Sequence, residues 1–221
     1  MFNDYCCSYL INLKEDTKRK ELFFKEWKNR SEIKIIEAID TRDNKWENYK
    51  SQMSEKAIED LEETIKTKKR KTHESLCPGA VGCYLSHLQC WEDFQKQEKG
   101  NYCFIFEDDS TVPEDLLEKV KNILSKLTTK WGFINLGASY ISEKKFNEDL
   151  IILERFLLTH AYVLSKYGAI MLLKKHKKIE KQVDWFVSDN HKELITFGTK
   201  EKLCYQENHF GKTNIQTYRI K

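Results

Sequence analysis

The chain has 221 residues, 40% hydrophobic and 12% aromatic, which supports one α/β domain with a substantial core and argues against a disordered chain. Charged residues are 33% of the total and nearly cancel at +3, so no basic field points to nucleic acid. No window of about 18 apolar residues exists, and Met1–Tyr5 has neither the basic flank nor the apolar core of a signal peptide.

Tyr9–Leu13 is a short apolar run that predicts a first buried strand, and Lys18–Asn29 carries Leu22, Phe23 and Trp27 at helical spacing. Ile33–Ile39 predicts a second strand, ending at Asp40. Residues 44–72 are densely charged and weakly periodic, through Ala57, Ile58, Leu61 and Ile65, and are expected as a charged, mobile insertion. The basic run Lys66–Lys71 within it reads as a solvated helix end rather than an anion patch or localisation signal. Pro78–Lys96 predicts a helix with Val81, Leu85, Leu88, Trp91 and Phe94 on one face. Tyr102–Phe106 predicts a buried strand and Glu114–Leu127 an amphipathic helix. A strand over Trp131–Gly137, another over Thr159–Leu164 and a helix over Lys166–Lys175 follow, then a helix over Val183–Leu194 and a last strand over Leu203–Gln206. Strands alternating with helices predict a mostly parallel central sheet with helices on both faces. No repeat and no Ser/Gly linker divides the chain, so residues 1–221 are expected to form one domain.

Seven cysteines, with no Cys-x-x-Cys pair, argue against a structural zinc site. The adjacent Cys6 and Cys7 are awkward for a disulfide, and a reducing, cytoplasmic setting is expected. Cys83, His87 and Cys90 share helical spacing, but such a trio on one apolar helix reads as core packing rather than metal binding.

The densest chemistry follows the strand at Tyr102. Glu107, Asp108 and Asp109 are three like charges at its end. A divalent cation held by oxygen ligands is one way to compensate them, and a solvated acidic turn is the other. Acids at a strand end, before a helix that Pro113 can start, stand where open α/β sheets bind ligands. If the strand runs on to Asp109, Glu107 and Asp109 point to the same side.

Several segments, in this order, resemble glycosyltransferase family 25, which includes lipopolysaccharide and procollagen galactosyltransferases. They are Tyr9–Leu13 with Arg19, Gly79-Ala-Val-Gly-Cys-Tyr-Leu-Ser-His87, Phe104–Asp109, Thr159–Ser165, Gly168-Ala169 and Val183-Asp184. The resemblance implies a single GT-A type, Rossmann-like domain, a nucleotide-sugar donor such as a UDP-sugar, a divalent metal such as manganese, and inversion at the sugar carbon. Galactose or glucose would pass to a glycan or protein hydroxyl; the charged spacer at 44–72 departs from the family and leaves the acceptor open.

The resemblance also orders the candidates. Asp109 is the first choice as metal ligand, with Glu107 or Asp108 assisting. Asn12 and Arg19 fall in a segment that contacts the nucleotide, although Arg19 also reads as a surface arginine. Asp40 either hydrogen-bonds the nucleotide or caps a turn. Ser86 and His87 face the donor pocket, or His87 is a satisfied core histidine. Asp184 is the candidate general base, with Asp189 in reserve; the alternative for Asp184 is a helix-start acid stabilised by the macrodipole. His209 is a candidate further metal ligand, or a surface histidine. Two other classes stay open: a GT-A-like module without turnover that binds a glycan or partner, and a metal-dependent nuclease or phosphatase, for which no second acid or histidine set is visible.

Overall fold

The computed structural model describes residues 5–27 and 33–206, with the backbone of 219–220. In chain order the elements are β1 (Tyr5–Asn12), α1 (Thr17–Glu26), β2 (Ile33–Glu37), a 3-10 helix (Lys45–Gln52), α2 (Glu55–Thr67), β3 (Lys69–Arg70), α3 (Pro78–Lys96), β4 (Tyr102–Glu107) and α4 (Leu116–Lys126). They continue with β5 (Phe133–Asn135), β6 (Ser139–Lys145), β7 (Leu150–Leu157), β8 (Ala161–Ser165), α5 (Lys166–Lys175), α6 (Val183–Asp189), α7 (His191–Leu194), β9 (Thr196–Thr199) and β10 (Arg219–Ile220).

Eight strands form one sheet in the order β2-β1-β4-β8-β5-β9-β7-β6. Side chains alternate across it, because successive residues of a strand face opposite sides. Tyr9, Ile11, Cys103, Ile105, Phe133 and Tyr162 pack on one face with residues of α2, α3, α5 and α6. Leu10, Tyr102, Phe104, Phe106 and Val163 pack on the other with Phe23 of α1 and Leu116, Val120 and Leu124 of α4. The expected α/β fold with helices on both faces is what the chain adopts.

The sheet is mixed rather than mostly parallel. β1 runs parallel to β2 and β4, and β5 to β9, but β8 is antiparallel to both β4 and β5, and β6-β7-β9 is an antiparallel ribbon. A strand buried on both faces is apolar throughout and carries no mark of its direction. The β6–β7 hairpin carries little strand signal for another reason: its outer strand, Ser139–Lys145, is mostly exposed and rich in charge, as edge strands commonly are. The helix expected over Val183–Leu194 breaks at Asn190 into two, and Leu203–Gln206 contributes only an isolated bridge, Ser110 with Gln206.

Residues 44–72 are built into the fold. The Ser54 hydroxyl caps α2 by accepting from the Ala57 amide, and Trp46, Met53, Ala57 and Leu61 are buried in the larger core. The exposed face of α2 carries the charge, with Lys71 returning to Asp60 and Glu63 at 2.7 and 2.6 Å. Gly82 of α3 locks the neighbouring strand exit in place. A Cβ there would lie 2.0 Å from the Ile39 carbonyl oxygen, and Thr41 Oγ1 accepts from the Gly82 amide.

Leu61 is fully buried, so Leu61→Ala should destabilise the protein by about 2–5 kcal/mol in denaturant titration. A loss under about 0.5 kcal/mol would mean that this segment does not pack as described.

Candidate active site

The cavity lies where β1, β2 and β4 end, which is where open α/β sheets present backbone and side chains to ligands. Its volume is about 270 Å³, close to the lower end for small-molecule pockets. Its wall includes Ile11 and Leu13 at the end of β1, the strand exit Ala38–Arg42, Gly79 and Ala80 at the start of α3, the acids Glu107–Asp109 at the end of β4, and the segments Leu158–His160 and Gln182–Asp184. β8 enters the sheet against β4, so the start of β8 meets the end of β4: the Glu107 amide donates to the His160 carbonyl at 2.7 Å.

Strand β4 stops at Glu107, and Asp108 and Asp109 turn away from strand geometry. All three acids nevertheless line the cavity, each with a different partner. Asp108 is clamped at both oxygens. Asn12 Nδ2 donates to Oδ2 at 2.7 Å and Arg19 Nη1 to Oδ1 at 2.9 Å. Burial raises the Asp108 carboxyl despite these donors, while Asp108 helps to hold the Arg19 guanidinium charged against its own desolvation. The close charge-assisted geometry opposes that burial cost for both partners.

Glu107 sits at the end of a relay. Trp91 Nε1 donates to the Tyr162 hydroxyl at 2.8 Å, Tyr162 Oη lies 2.9 Å from His87 Nδ1, and His87 Nε2 lies 3.3 Å from Glu107 Oε1. The pattern closes if Tyr162 donates to Nδ1 and His87 carries its proton on Nε2, pointing at the carboxylate. Burial works against the Glu107 charge, but donation from His87 and the nearby His160 and Arg19 outweigh it, so its carboxyl is lowered.

Asp109 is the acid left over. Arg19 is 3.5 Å from its Oδ2, which also accepts from Gln206 at 3.2 Å, while Oδ1 is buried without a hydrogen-bond partner. Burial first, then Glu107 and Asp108, push its carboxyl up to about 7. A buried carboxylate oxygen facing two other acids fits a cation better than any neighbour the fold supplies.

Asp184 lines the same cavity and is held from two sides. The Leu158 amide donates to Oδ2 at 3.2 Å and the Trp185 amide to Oδ1 at 2.8 Å. Burial raises its carboxyl against those two donors. Leu158 adopts a φ of +73°, an uncommon conformation for a branched side chain, and its carbonyl accepts from Asn135 Nδ2 at 2.7 Å.

The other candidates take structural places. Asp40 is at the cavity wall but both its oxygens are occupied, by Arg42 at 2.7 Å and by Lys45, which hold its carboxyl well below the usual range. Ser86 Oγ donates to the Gly82 carbonyl and accepts from the Ile39 amide, so it shapes the wall rather than offering a free hydroxyl. His87 is fully buried behind Glu107 and does not line the cavity. Asp189 lies outside the cavity, 38% exposed, bonded to Lys181 at 2.7 Å, because its turn of α6 faces solvent. His209 lies outside the described residues.

The sequence alone does not mark His160 as a site residue. It is buried at the cavity, and both ring nitrogens lack a well-formed hydrogen bond. Burial lowers its imidazole although Glu107 opposes this, so the ring is neutral near pH 7. Its Nε2 crowds Gly137, where a Cβ would sit 2.7 Å away. Only the antiparallel entry of β8 brings His160 to the acids, and spacing along the chain carries no sign of it.

A mixed α/β sheet with acids massed at the carboxyl ends of its parallel strands belongs to the ligand-binding α/β folds. Residues 7–187 match the family model of glycosyltransferase family 25 (LPS biosynthesis protein). The chain belongs to that family, and its sheet is of the GT-A type the family implies. Among curated proteins, nothing matches the chain.

Asp109 supplies a test of the electrostatics. Its carboxyl titrates near 3.8 in the unfolded chain and about 7 in the fold, so the native state binds more protons in between. Stability therefore falls as pH rises from about 4 to about 7. With cations chelated, Asp109→Asn should remove that slope and make the protein more stable at pH 8, by on the order of 1–3 kcal/mol. A loss of stability at pH 8 would show that the Asp109 charge is compensated.

Proposed function

We propose that the protein transfers a hexose, galactose or glucose, from a UDP-sugar to a hydroxyl of a glycan or glycoprotein, with inversion at the sugar carbon. The observation that carries this reading is the unpartnered, buried Oδ1 of Asp109, in one cavity with Glu107 and Asp184. Asp109 and Glu107 would hold a divalent cation such as manganese, which when bound supplies positive charge to the departing diphosphate. Asp108 is saturated by Asn12 and Arg19, so it orients the guanidinium and completes the wall. Arg19 keeps the acid cluster compact, and its planar donors suit diphosphate oxygens.

Asp184 is the proposed general base. Inversion needs one displacement: the acceptor oxygen bonds to the sugar carbon, the bond to the diphosphate breaks, and the hydroxyl proton passes to Asp184. Burial raises the Asp184 carboxyl, which makes it a better proton acceptor than a solvated aspartate. The amides of Leu158 and Trp185 fix its direction while each oxygen keeps a lone pair free. Among the described residues no helix is long and apolar enough to cross a membrane, and no cysteines pair as a disulfide. The thiols support the proposed placement in a reducing, cytoplasmic compartment.

Release of UDP from UDP-galactose or UDP-glucose, with manganese and without acceptor, should be measurable and should stop on chelation. If neither these nor other common UDP-sugars turn over, and UDP gives no thermal shift, the reading fails.

Asp184→Asn should lower kcat by about 10²–10⁴-fold, with a cooperative thermal melt showing that the variant still folds. The acidic limb of the wild-type kcat profile should lie above the ordinary aspartate value of 3.8. Full activity in this variant would move the base elsewhere.

A further inference from the structure

The relay beneath Glu107 contains donors that the transfer reaction leaves unused. Cys83 stands one turn before His87 on α3, on the same face of the helix. The ligand atoms of Cys83, His87 and Glu107 all lie within 4.8 Å of one another. Cys90, the other thiol at helical spacing from His87, is buried in the larger core and is not part of this group.

We propose that Cys83, His87 and Glu107 form a second cation site, selective for a thiophilic divalent ion of the zinc class, and that filling it inhibits sugar transfer by withdrawing Glu107 from the donor site. The second half rests on the function proposed above; the first half does not.

The donor chemistry sets the selectivity. A thiolate, an imidazole and a carboxylate are the mixed ligands that a tetrahedral, borderline-soft ion takes, whereas magnesium and manganese favour oxygen. Cys83 and Glu107 line the cavity, so a fourth coordination position opens toward it. Charge is balanced: one thiolate and one carboxylate cancel a divalent ion while His87 stays neutral. A buried site with zero net charge avoids the penalty that an uncompensated ion would meet.

Binding has a definite proton inventory. Cys83 gives up its thiol proton to solvent through the cavity. His87 must free Nε2, so its proton moves to Nδ1, which then donates to Tyr162. Tyr162 already accepts from Trp91, and its own hydroxyl proton loses its acceptor. One unsatisfied hydroxyl is a small cost beside three coordinate bonds. Glu107, now bound beside Cys83 and His87, is no longer available to the cation held with Asp109.

Cadmium is the probe, because its bond to a thiolate gives an ultraviolet charge-transfer band. The full chain carrying Cys6→Ser and Cys7→Ser removes the adjacent, partly exposed thiols that would also bind. Cadmium should titrate this protein with a single saturable band. Cys83→Ser should abolish the band, His87→Gln should weaken binding on the order of 10- to 100-fold, and Asp109→Asn should retain it. Thermal melts verify that each variant folds, and Cys83→Ala replaces Cys83→Ser if the serine does not.

No band in the starting protein, or an undiminished band without Cys83, overturns the site. For the second half, zinc should inhibit manganese-supported transfer, and Cys83→Ser should need at least about 10-fold more zinc relative to its own zinc-free rate. Equal sensitivity overturns the inhibition. Absence of transfer with every UDP-sugar overturns the proposed function and the inhibition with it, while the cadmium band still decides the site.

Discussion

Mutual repulsion among Glu107, Asp108 and Asp109 is the constraint on which the site depends. Three carboxylates at one strand end need compensation, and the fold supplies it unevenly. Asp108 receives two charge-assisted or polar donors, from Arg19 and Asn12. Glu107 receives one, from a histidine braced by Tyr162 and Trp91. Asp109 shares what is left and keeps one buried oxygen without a partner. The asymmetry gives three adjacent acids three different characters: a clamped one, an oriented one and one left short of partners. Such separation by environment is how one cluster serves several roles.

The hydrophobic scaffold makes that asymmetry possible. β4 is buried on both faces, so its end cannot relax toward solvent to relieve the repulsion. α1 is anchored by Phe23 against Phe106, at a ring separation of 5.5 Å, and it carries Arg19 to the acids. α3 lies on the opposite face, held to the β2 exit by the close approach at Gly82 and the hydroxyl of Thr41, and it presents His87 from behind. The left-handed Leu158 is retained because its amide and carbonyl are both used, one by Asp184 and the other by Asn135. Local strain is thus exchanged for a fixed carboxylate direction.

Much of this was legible along the chain. The long helix at Pro78–Lys96 and the helix at Lys166–Lys175 announce themselves by spacing and keep those limits. The acids after Phe106, Arg19 and Asp184 all line one cavity. Other points were out of reach. α2 pairs small or isolated apolar residues with dense charge, so its buried stripe of Ala57, Leu61 and Thr64 looks weak until Trp46 and Met53 are seen beside it. Ser86 and Asp40 carry the right chemistry for a ligand, but neighbours distant in sequence or newly turned toward them already occupy their atoms.

By itself, the sequence determined the α/β class, the position of the acids at a strand end and the family, because apolar periodicity and local motifs are properties of neighbouring residues. Tertiary structure alone decided the direction of β8, the arrival of His160 beside Glu107, and which acid stays uncompensated. Those outcomes depend on hydrogen bonds and charges between residues separated by tens of positions, as with Asn12 and Asp108 or His87 and Tyr162. No spacing rule along one chain encodes a contact that exists only once two faces of a sheet are packed.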